Sequence, residues 1–210
     1  MPRIVAFDVN ETLLDLSPLD APLGGPQARA AWFSLMLQLS FVGGLTGRYV
    51  DFTTAQRAAL EMLGHDDPEP VLAQMRRLPA HPDAAPALDH LRGAGLTLAA
   101  LTNSTLDVAR AQLEHAGLAD RFDAILSADQ VQALKPRPEP YHLVARTFGA
   151  APSDVRLVAA HAWDVSGALA AGCAAAFVRR PGKVPSPLGE QPDIVGDDLH
   201  EVADRISRPA

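Results

Sequence analysis

The chain has one cysteine, Cys173, among its 210 residues. That excludes an internal disulfide and a thiolate metal cluster, and a reducing cytoplasm is the natural setting for such a chain. Cys173 sits in Ala170-Ala171-Gly172-Cys173-Ala174 and reads as a small core residue, not a catalyst. No run of ~20 uninterrupted apolar residues occurs, so no membrane span is expected. Arg3 is followed by no signal-peptide cleavage pattern, and the apolar run after it is needed as a strand. Positive charge is scarce: 18 Lys and Arg stand against 25 Asp and Glu, a formal net charge of -7. Nucleic acid is therefore not an expected partner, and the negative balance favours solubility. Repeats and low-complexity segments are missing as well. What is there is ordinary for a folded globular chain, with 48% hydrophobic and 20% charged residues. The length suffices for one sizeable core and a small second lobe.

Short apolar segments of strand character recur at residues 4–7, 96–101, 124–126, 155–160 and 174–178. Helical patterns separate them. Residues 105–116 carry Leu106, Ala109, Leu113 and Ala116 on one face, with Ser104 or Thr105 as N-cap and Gly117 as C-cap. Residues 139–148 and 164–171 read as helices too, the second closing at Gly172. Such alternation predicts a parallel sheet covered on both faces. Residues 16–81 break the rhythm. The run at 27–41 is apolar over most of its circumference, Trp32, Phe33, Met36 and Leu37 included, and such a helix needs cover on more than one side. Residues 53–63 and 67–78 read as two further helices, between Pro and Gly punctuation at 22–26 and 79–82. The expected organisation is a core of residues 1–15 and 82–210 with an all-helical cap, residues 16–81, inserted after the first strand. Residues 179–193 read as a surface loop, followed by an edge strand at 194–195 and a helix over 199–206. The apolar lobe points to a second copy of the chain as a partner, a homodimer.

Chemistry-bearing residues gather where strands end. Asp8 follows the first strand directly. An unpaired buried carboxylate is costly, and at the carboxyl edge of a parallel sheet it faces the crevice where α/β proteins bind ligands. A carboxylate there is competent as a nucleophile; a turn or N-cap role is the plain alternative. Thr102-Asn103-Ser104 end the second strand at a helix start, which suits an anion and equally suits capping. Lys135 sits among Pro136, Pro138 and Pro140, in a loop stiff enough to fix its place, with a solvated surface lysine as the alternative. His161-Ala162-Trp163-Asp164 follow the fourth strand, where Asp164 is either an N-cap or a site carboxylate.

In chain order the signals are Asp8-Val9-Asn10-Glu11-Thr12, Thr102-Asn103, Lys135-Pro136 and Asp164. That order resembles the haloacid dehalogenase superfamily over nearly the whole chain. Leu134-Lys135-Pro136 with Tyr141, Ala162-Trp163-Asp164 with Gly167, Gly47-Arg48-Tyr49-Val50-Asp51-Phe52 and Thr102-Asn103-Ser104 look most like the L-2-haloacid dehalogenases (type II). The resemblance implies a doubly wound, Rossmann-like α/β core with a helical cap. It also implies hydrolytic dehalogenation of a short 2-haloacid or related short carboxylate. Asp8 would attack the halogen-bearing carbon, expel halide with inversion, and form an ester that water cleaves at the Asp8 carboxyl carbon. Lys135 would pair with Asp8 and favour its ionised form. Thr12 would fix the Asp8 rotamer, and Asp164 would orient Lys135 and the hydrolytic water. Asn103 with Thr102 would hold the substrate carboxylate, while Trp163, Phe52 and Leu37 line the cavity for the alkyl group. No cofactor and no metal are expected.

The chain departs from the family pattern in two places. Where the family has a halide-receiving cap arginine after the helix tryptophan, this chain has Phe33 after Trp32; Arg29 lies a turn earlier, elsewhere on the helix. Phe33→Arg is expected to raise dehalogenation. The family's tyrosine and asparagine are Asn10 and His161 here, and Asn10 and Phe33 join the substrate-facing set. His161, with an unperturbed pKa of about 6.5, either activates water or fills the asparagine's hydrogen-bonding place. Asn10 also separates the chain from phosphatases of the superfamily, which carry a second Asp there as general acid/base; an amide cannot shuttle the proton. Those phosphatases need clustered carboxylates for Mg²⁺, and Ala159, Ala160 and His161 stand where such ligands belong. A Mg²⁺-dependent phosphatase, and a degenerate relative that binds a small carboxylate without turnover, are the competing readings.

Overall fold

Six parallel strands run through the centre of the computed structural model, which describes residues 2–208. They are β1 (Ile4–Phe7), β2 (Thr97–Thr102), β3 (Ala124–Ser127), β4 (Val155–Ala159), β5 (Ala174–Val178) and β6 (Ile194–Gly196), in the order β3-β2-β1-β4-β5-β6. Met1, Pro209 and Ala210, included in the core segments expected from sequence, lie outside the described residues. β1 is central, with Phe7 in register with Ala100 of β2 and Val158 of β4. The chain winds outward from β1 in one direction through β2 and β3, and in the other through β4, β5 and β6. The reversal opens a crevice at the carboxyl ends of β1 and β4.

Side-chain alternation divides the apolar residues between two faces. Val5 and Phe7 pack with Leu98, Ala100, Val158 and Val178 in one cluster; Ile4 and Ala6 pack with Ala99, Leu101, Leu157 and Phe177 in the other. The first cluster takes in α5 (Ala84–Gly93) and α9 (Leu199–Ser207), the second α7 (Pro138–Thr147) and α8 (Ala162–Ala170). A fifth core-side helix, α6 (Leu106–His115), follows β2. The helix at 84–93 was not anticipated: Pro86 interrupts its helical pattern, yet a proline in the first turn is tolerated. Its Ala84, Ala87, Leu88 and Leu91 form a buried face at helical spacing.

The inserted helical subdomain comprises α1 (Asp20–Leu23), α2 (Pro26–Leu45), α3 (Phe52–Met62) and α4 (Glu69–Met75). The long α2 corrects one expectation. Its fully buried residues are a single stripe, Trp32, Phe33, Met36, Ser40 and Gly43, while Val42 and Leu45 are 50% and 87% exposed. Trp32 Nε1 donates to the Gln56 carbonyl at 3.2 Å and ties α2 to α3. Gly43 lets the chain fold back, because a Cβ there would lie 2.7 Å from the Arg48 carbonyl oxygen. Asp51 caps α3 by accepting from Thr54 N at 3.0 Å. The two connections to the core run side by side: Asp15 N donates to Pro79 O and His81 N to Leu13 O, both at 2.8 Å. Among the described residues no helix is long and apolar enough to cross a membrane.

Candidate active site

Asp8 stands one residue past β1, and its backbone N–H still bonds to Val158 O at 3.0 Å. The ladder thus anchors the main chain while the carboxyl enters the crevice. The turn that follows brings Thr12 back: its hydroxyl donates to Asp8 Oδ2 at 2.6 Å and accepts from Ala160 N at 3.0 Å. Asp8 and Thr12 are 5% and 0% exposed.

Lys135 reaches the same point from the loop after β3. Its ammonium donates to Asp8 Oδ1 at 2.8 Å, Asp164 Oδ2 at 2.6 Å and Leu101 O at 3.0 Å. Three acceptors match its three N–H groups. Asn103 grips the backbone of this lysine at both ends, with Oδ1 accepting from Lys135 N at 2.8 Å and Nδ2 donating to Lys135 O at 3.3 Å. Both polar atoms of the Asn103 amide are thus engaged in positioning the lysine. Thr102 Oγ1 is likewise engaged, accepting from Ser104 N at 3.1 Å. Asp164, in the first turn of α8, accepts from Tyr141 Oη at 2.6 Å through its other oxygen. Gly167 makes this convergence of loop and helices sterically feasible, since a Cβ there would lie 2.5 Å from Tyr141 Oη and 2.6 Å from Pro136 Cβ.

His161 lies on the opposite side of Asp8 from Lys135. Nδ1 is 3.3 Å from Asp8 Oδ2 and Nε2 is 2.8 Å from Glu11 Oε2. The ring stacks on Phe33 at 5.6 Å and on Trp163 at 5.4 Å between centroids. Glu11 is also met by Lys183 Nζ at 2.6 Å and Arg29 Nη1 at 3.6 Å. Arg29 bonds chiefly to Asp20, at 2.6 Å, and does not line the cavity in Phe33's place.

These contacts govern the charges. Burial alone would raise Asp8, but Lys135 and His161 outweigh it and hold the carboxyl far below the usual range. Burial would depress Lys135, yet Asp164 and Asp8 hold its pKa above the ordinary lysine value. Asp164 is pushed up by burial and by the negative charge of Asp8, against the pull of Lys135 and Tyr141. For His161, burial is overcome by hydrogen bonds to Asp8 and Glu11, which raise it to about 9.

The cavity between core and cap is small, with a volume of about 10 Å³. Asp8, Asn10, Thr102, Asn103, Lys135 and His161 line it from the core, Phe33, Leu37 and Phe52 from the cap, and Trp163 from α8. Thr12 and Asp164 sit behind Asp8 and Lys135. Asn10 contributes little free polarity, because its amide donates to Ser104 Oγ at 3.2 Å and accepts from Gln112 Nε2 at 3.0 Å. Glu11 and Lys183 were not anticipated as site residues. The left-handed backbone of Glu11, φ 62°, has no signature in the sequence, and its partners are distant along the chain. Among the described residues no group of three or more His, Cys, Asp or Glu side chains is placed to hold a metal ion. Asn10 supplies no carboxylate, and Asp8 and Asp164 are neutralised by Lys135, so the donor set does not fit Mg²⁺.

A profile of the family described as haloacid dehalogenase-like hydrolase matches residues 2–172. The (S)-2-haloacid dehalogenase of Xanthobacter autotrophicus is 37% identical over 194 residues, which cover 86% of this chain and 76% of that protein. The structure of an L-2-haloacid dehalogenase from Xanthobacter autotrophicus matches with a TM-score of 0.89 at 30% identity, covering 100% of both chains. A structure of that organism's L-2-haloacid dehalogenase with chloropropionic acid covalently bound matches with a TM-score of 0.87 at 29% identity, again over 100% of both. With the profile spanning most of the chain and the fold shared throughout, the protein belongs to the haloacid dehalogenase-like hydrolase family and closely matches its L-2-haloacid dehalogenases in sequence and structure.

Proposed function

We propose that the protein hydrolyses the carbon–halogen bond of short 2-haloacids through an ester on Asp8. The observation that carries this reading is the buried Asp8–Lys135–Asp164 array, with contacts of 2.8 and 2.6 Å. Lys135 keeps Asp8 ionised without a proton to block it, as a nucleophile toward carbon requires. Asp8 attacks C2 of the substrate, the carbon–halogen bond breaks, and halide leaves with its electron pair. Asp164, whose raised pKa suits a base, then takes a proton from water as the water oxygen bonds to the Asp8 carboxyl carbon. Cleavage of the ester releases the 2-hydroxy acid and returns Asp8. The covalently bound chloropropionic acid in the similar enzyme supports this sequence of steps. Phe33, Leu37, Phe52 and Trp163 give the small cavity an apolar wall that suits a short alkyl group. The substrate carboxylate is assigned to the end of β2 at Thr102 and Asn103, where the chain turns into the α6 N-terminus and the helix dipole favours an anion.

A single turnover in ¹⁸O water tests the proposal: label should enter the Asp8 carboxyl, and Asp8→Asn should release no halide from chloroacetate or L-2-chloropropionate. Label appearing only in product, or an active Asp8→Asn, would refute it. A binder without turnover would give neither halide nor label. The lone, buried Cys173 supports a cytoplasmic setting. Val42 and Leu45, exposed on α2, support a homodimer that sedimentation would detect.

A further inference from the structure

We infer that Glu11 and His161 form a carboxylate–imidazolium pair that stabilises the oxyanion as the Asp8 ester is hydrolysed, with His161 the donor and Glu11 its positioning residue. The inference rests on the dehalogenation reading and deepens it. Each His161 nitrogen faces a carboxylate oxygen, Asp8 Oδ2 at 3.3 Å and Glu11 Oε2 at 2.8 Å. Two ionised acceptors require two N–H donors, so the ring carries both protons. The two oxygens of Asp8 are unequally engaged. Oδ1 has only the Lys135 ammonium at 2.8 Å, whereas Oδ2 faces both the Thr12 hydroxyl at 2.6 Å and His161. Oδ1 is therefore the freer oxygen for attack on carbon, and Oδ2 becomes the carbonyl oxygen of the ester.

The bonding changes follow from that assignment. Water oxygen bonds to the Asp8 carboxyl carbon, its proton passes to Asp164, and the carbonyl pair moves onto Oδ2. Two donors, Thr12 Oγ1 and His161 Nδ1, already face that oxygen, as an oxyanion site demands. The pair then re-forms the carbonyl, the carbon–Oδ1 bond breaks, and the product oxygen recovers the proton from Asp164. Asp8 sheds its remaining proton to solvent. Glu11 matters because esterification abolishes the charge of Asp8. Of the two carboxylates facing His161, only Glu11 is then left to keep the buried ring protonated. Lys183 shares Glu11 Oε2 with His161, Arg29 faces Oε1 and Lys135 holds the other Asp8 oxygen, so these neighbours are cations and no third anion among the described residues meets the ring. Glu11 keeps this contact from a left-handed backbone, φ 62°, a strained conformation for a residue with a Cβ.

Pre-steady-state turnover of chloroacetate separates the two half-reactions. His161→Leu should leave the halide burst within a few-fold of wild type, slow ester hydrolysis by roughly 100-fold, and let the ester accumulate on the Asp8 peptide in mass spectra. Glu11→Gln, and Glu11→Gly, which relieves the backbone and so guards against misfolding, should also accumulate ester. Both should move the alkaline fall of the hydrolysis rate to lower pH than in wild type. A slowed burst without ester accumulation, or an unmoved alkaline limb in both Glu11 variants, would overturn the inference. NMR titration of His161 in the free protein supplies a readout without substrate: the ring should titrate well above an ordinary histidine in wild type and lower in Glu11→Gln. An ordinary titration with halide release intact overturns the pair alone. Wild type that releases no halide overturns the dehalogenation reading and the hydrolytic role with it.

Discussion

Phe33→Arg would give this chain the cap arginine of the pattern it resembles, and the structure reverses the gain expected from sequence. The Phe33 ring stacks on His161 at 5.6 Å and has Lys183 Nζ 5.5 Å from its centroid. A guanidinium in that space faces two cations. At an effective dielectric of about 20, two unit charges separated by the stacking distance repel by about 3 kcal/mol. That corresponds to about two pKa units. His161, raised to about 9 by Asp8 and Glu11, should fall toward about 7 in the variant. Near neutral pH about half of the molecules would lose the imidazolium, and halide turnover should drop. NMR titration of His161 measures the shift directly. A stability cycle of Phe33→Arg, His161→Asn and the double variant, at about pH 6 where His161 is charged, should show a coupling on the order of 3 kcal/mol in favour of the double. An unchanged His161 pKa in Phe33→Arg, or strictly additive stabilities, would refute this reasoning.

Three further outcomes are expected. Exhaustive chelation should leave halide release unchanged, since the donor set does not fit a hard divalent ion; activity that returns only with added Mg²⁺ would contradict this. Gly167→Ala should lower stability by about 1–3 kcal/mol despite the better helix former. The new Cβ would lie 2.5 Å from Tyr141 Oη and disturb its bond to Asp164, and a melting temperature that rises with activity intact would refute the close approach. His161, with its pKa raised from 6.5 to about 9, contributes stability that is complete below its unfolded value and lost as pH rises through the folded one. Wild type should therefore lose on the order of 3 kcal/mol across that window, and His161→Asn should not; parallel pH profiles in denaturant melts would count against it.

Local pattern carried much of the architecture. A four-residue strand at Ile4–Phe7 followed at once by Asp8 is visible because burial on both faces demands an unbroken apolar run, and because a carboxylate there breaks it. The same logic marks Asn103, directly after β2, while Lys135 and Asp164 lie further on, in the loop after β3 and in the first turn of α8. It fails where local signals mislead. The Ala-rich helix at 84–93 is masked by Pro86, which a first turn tolerates. The apolar circumference of α2 suggests cover on several sides, yet only the stripe through Trp32, Phe33 and Met36 is fully buried in one chain.

By itself the sequence determined the alternation of strands and helices, the insertion of helices after β1, the carboxylate at the end of β1, and the types of side chain brought to the sheet's carboxyl edge. These depend on periodicity and on what a strand end can bear, which are properties of short segments. Only the tertiary structure decided which partner each polar group takes. Asn103 turns its amide to the backbone of Lys135, 32 residues away, and His161 meets Glu11 across 150 residues. Phe33 occupies a cap-side position stacked against His161. The physical reason is that a buried polar group must find a complementary partner wherever folding brings one, and that choice depends on three-dimensional distance, which local sequence spacing does not encode.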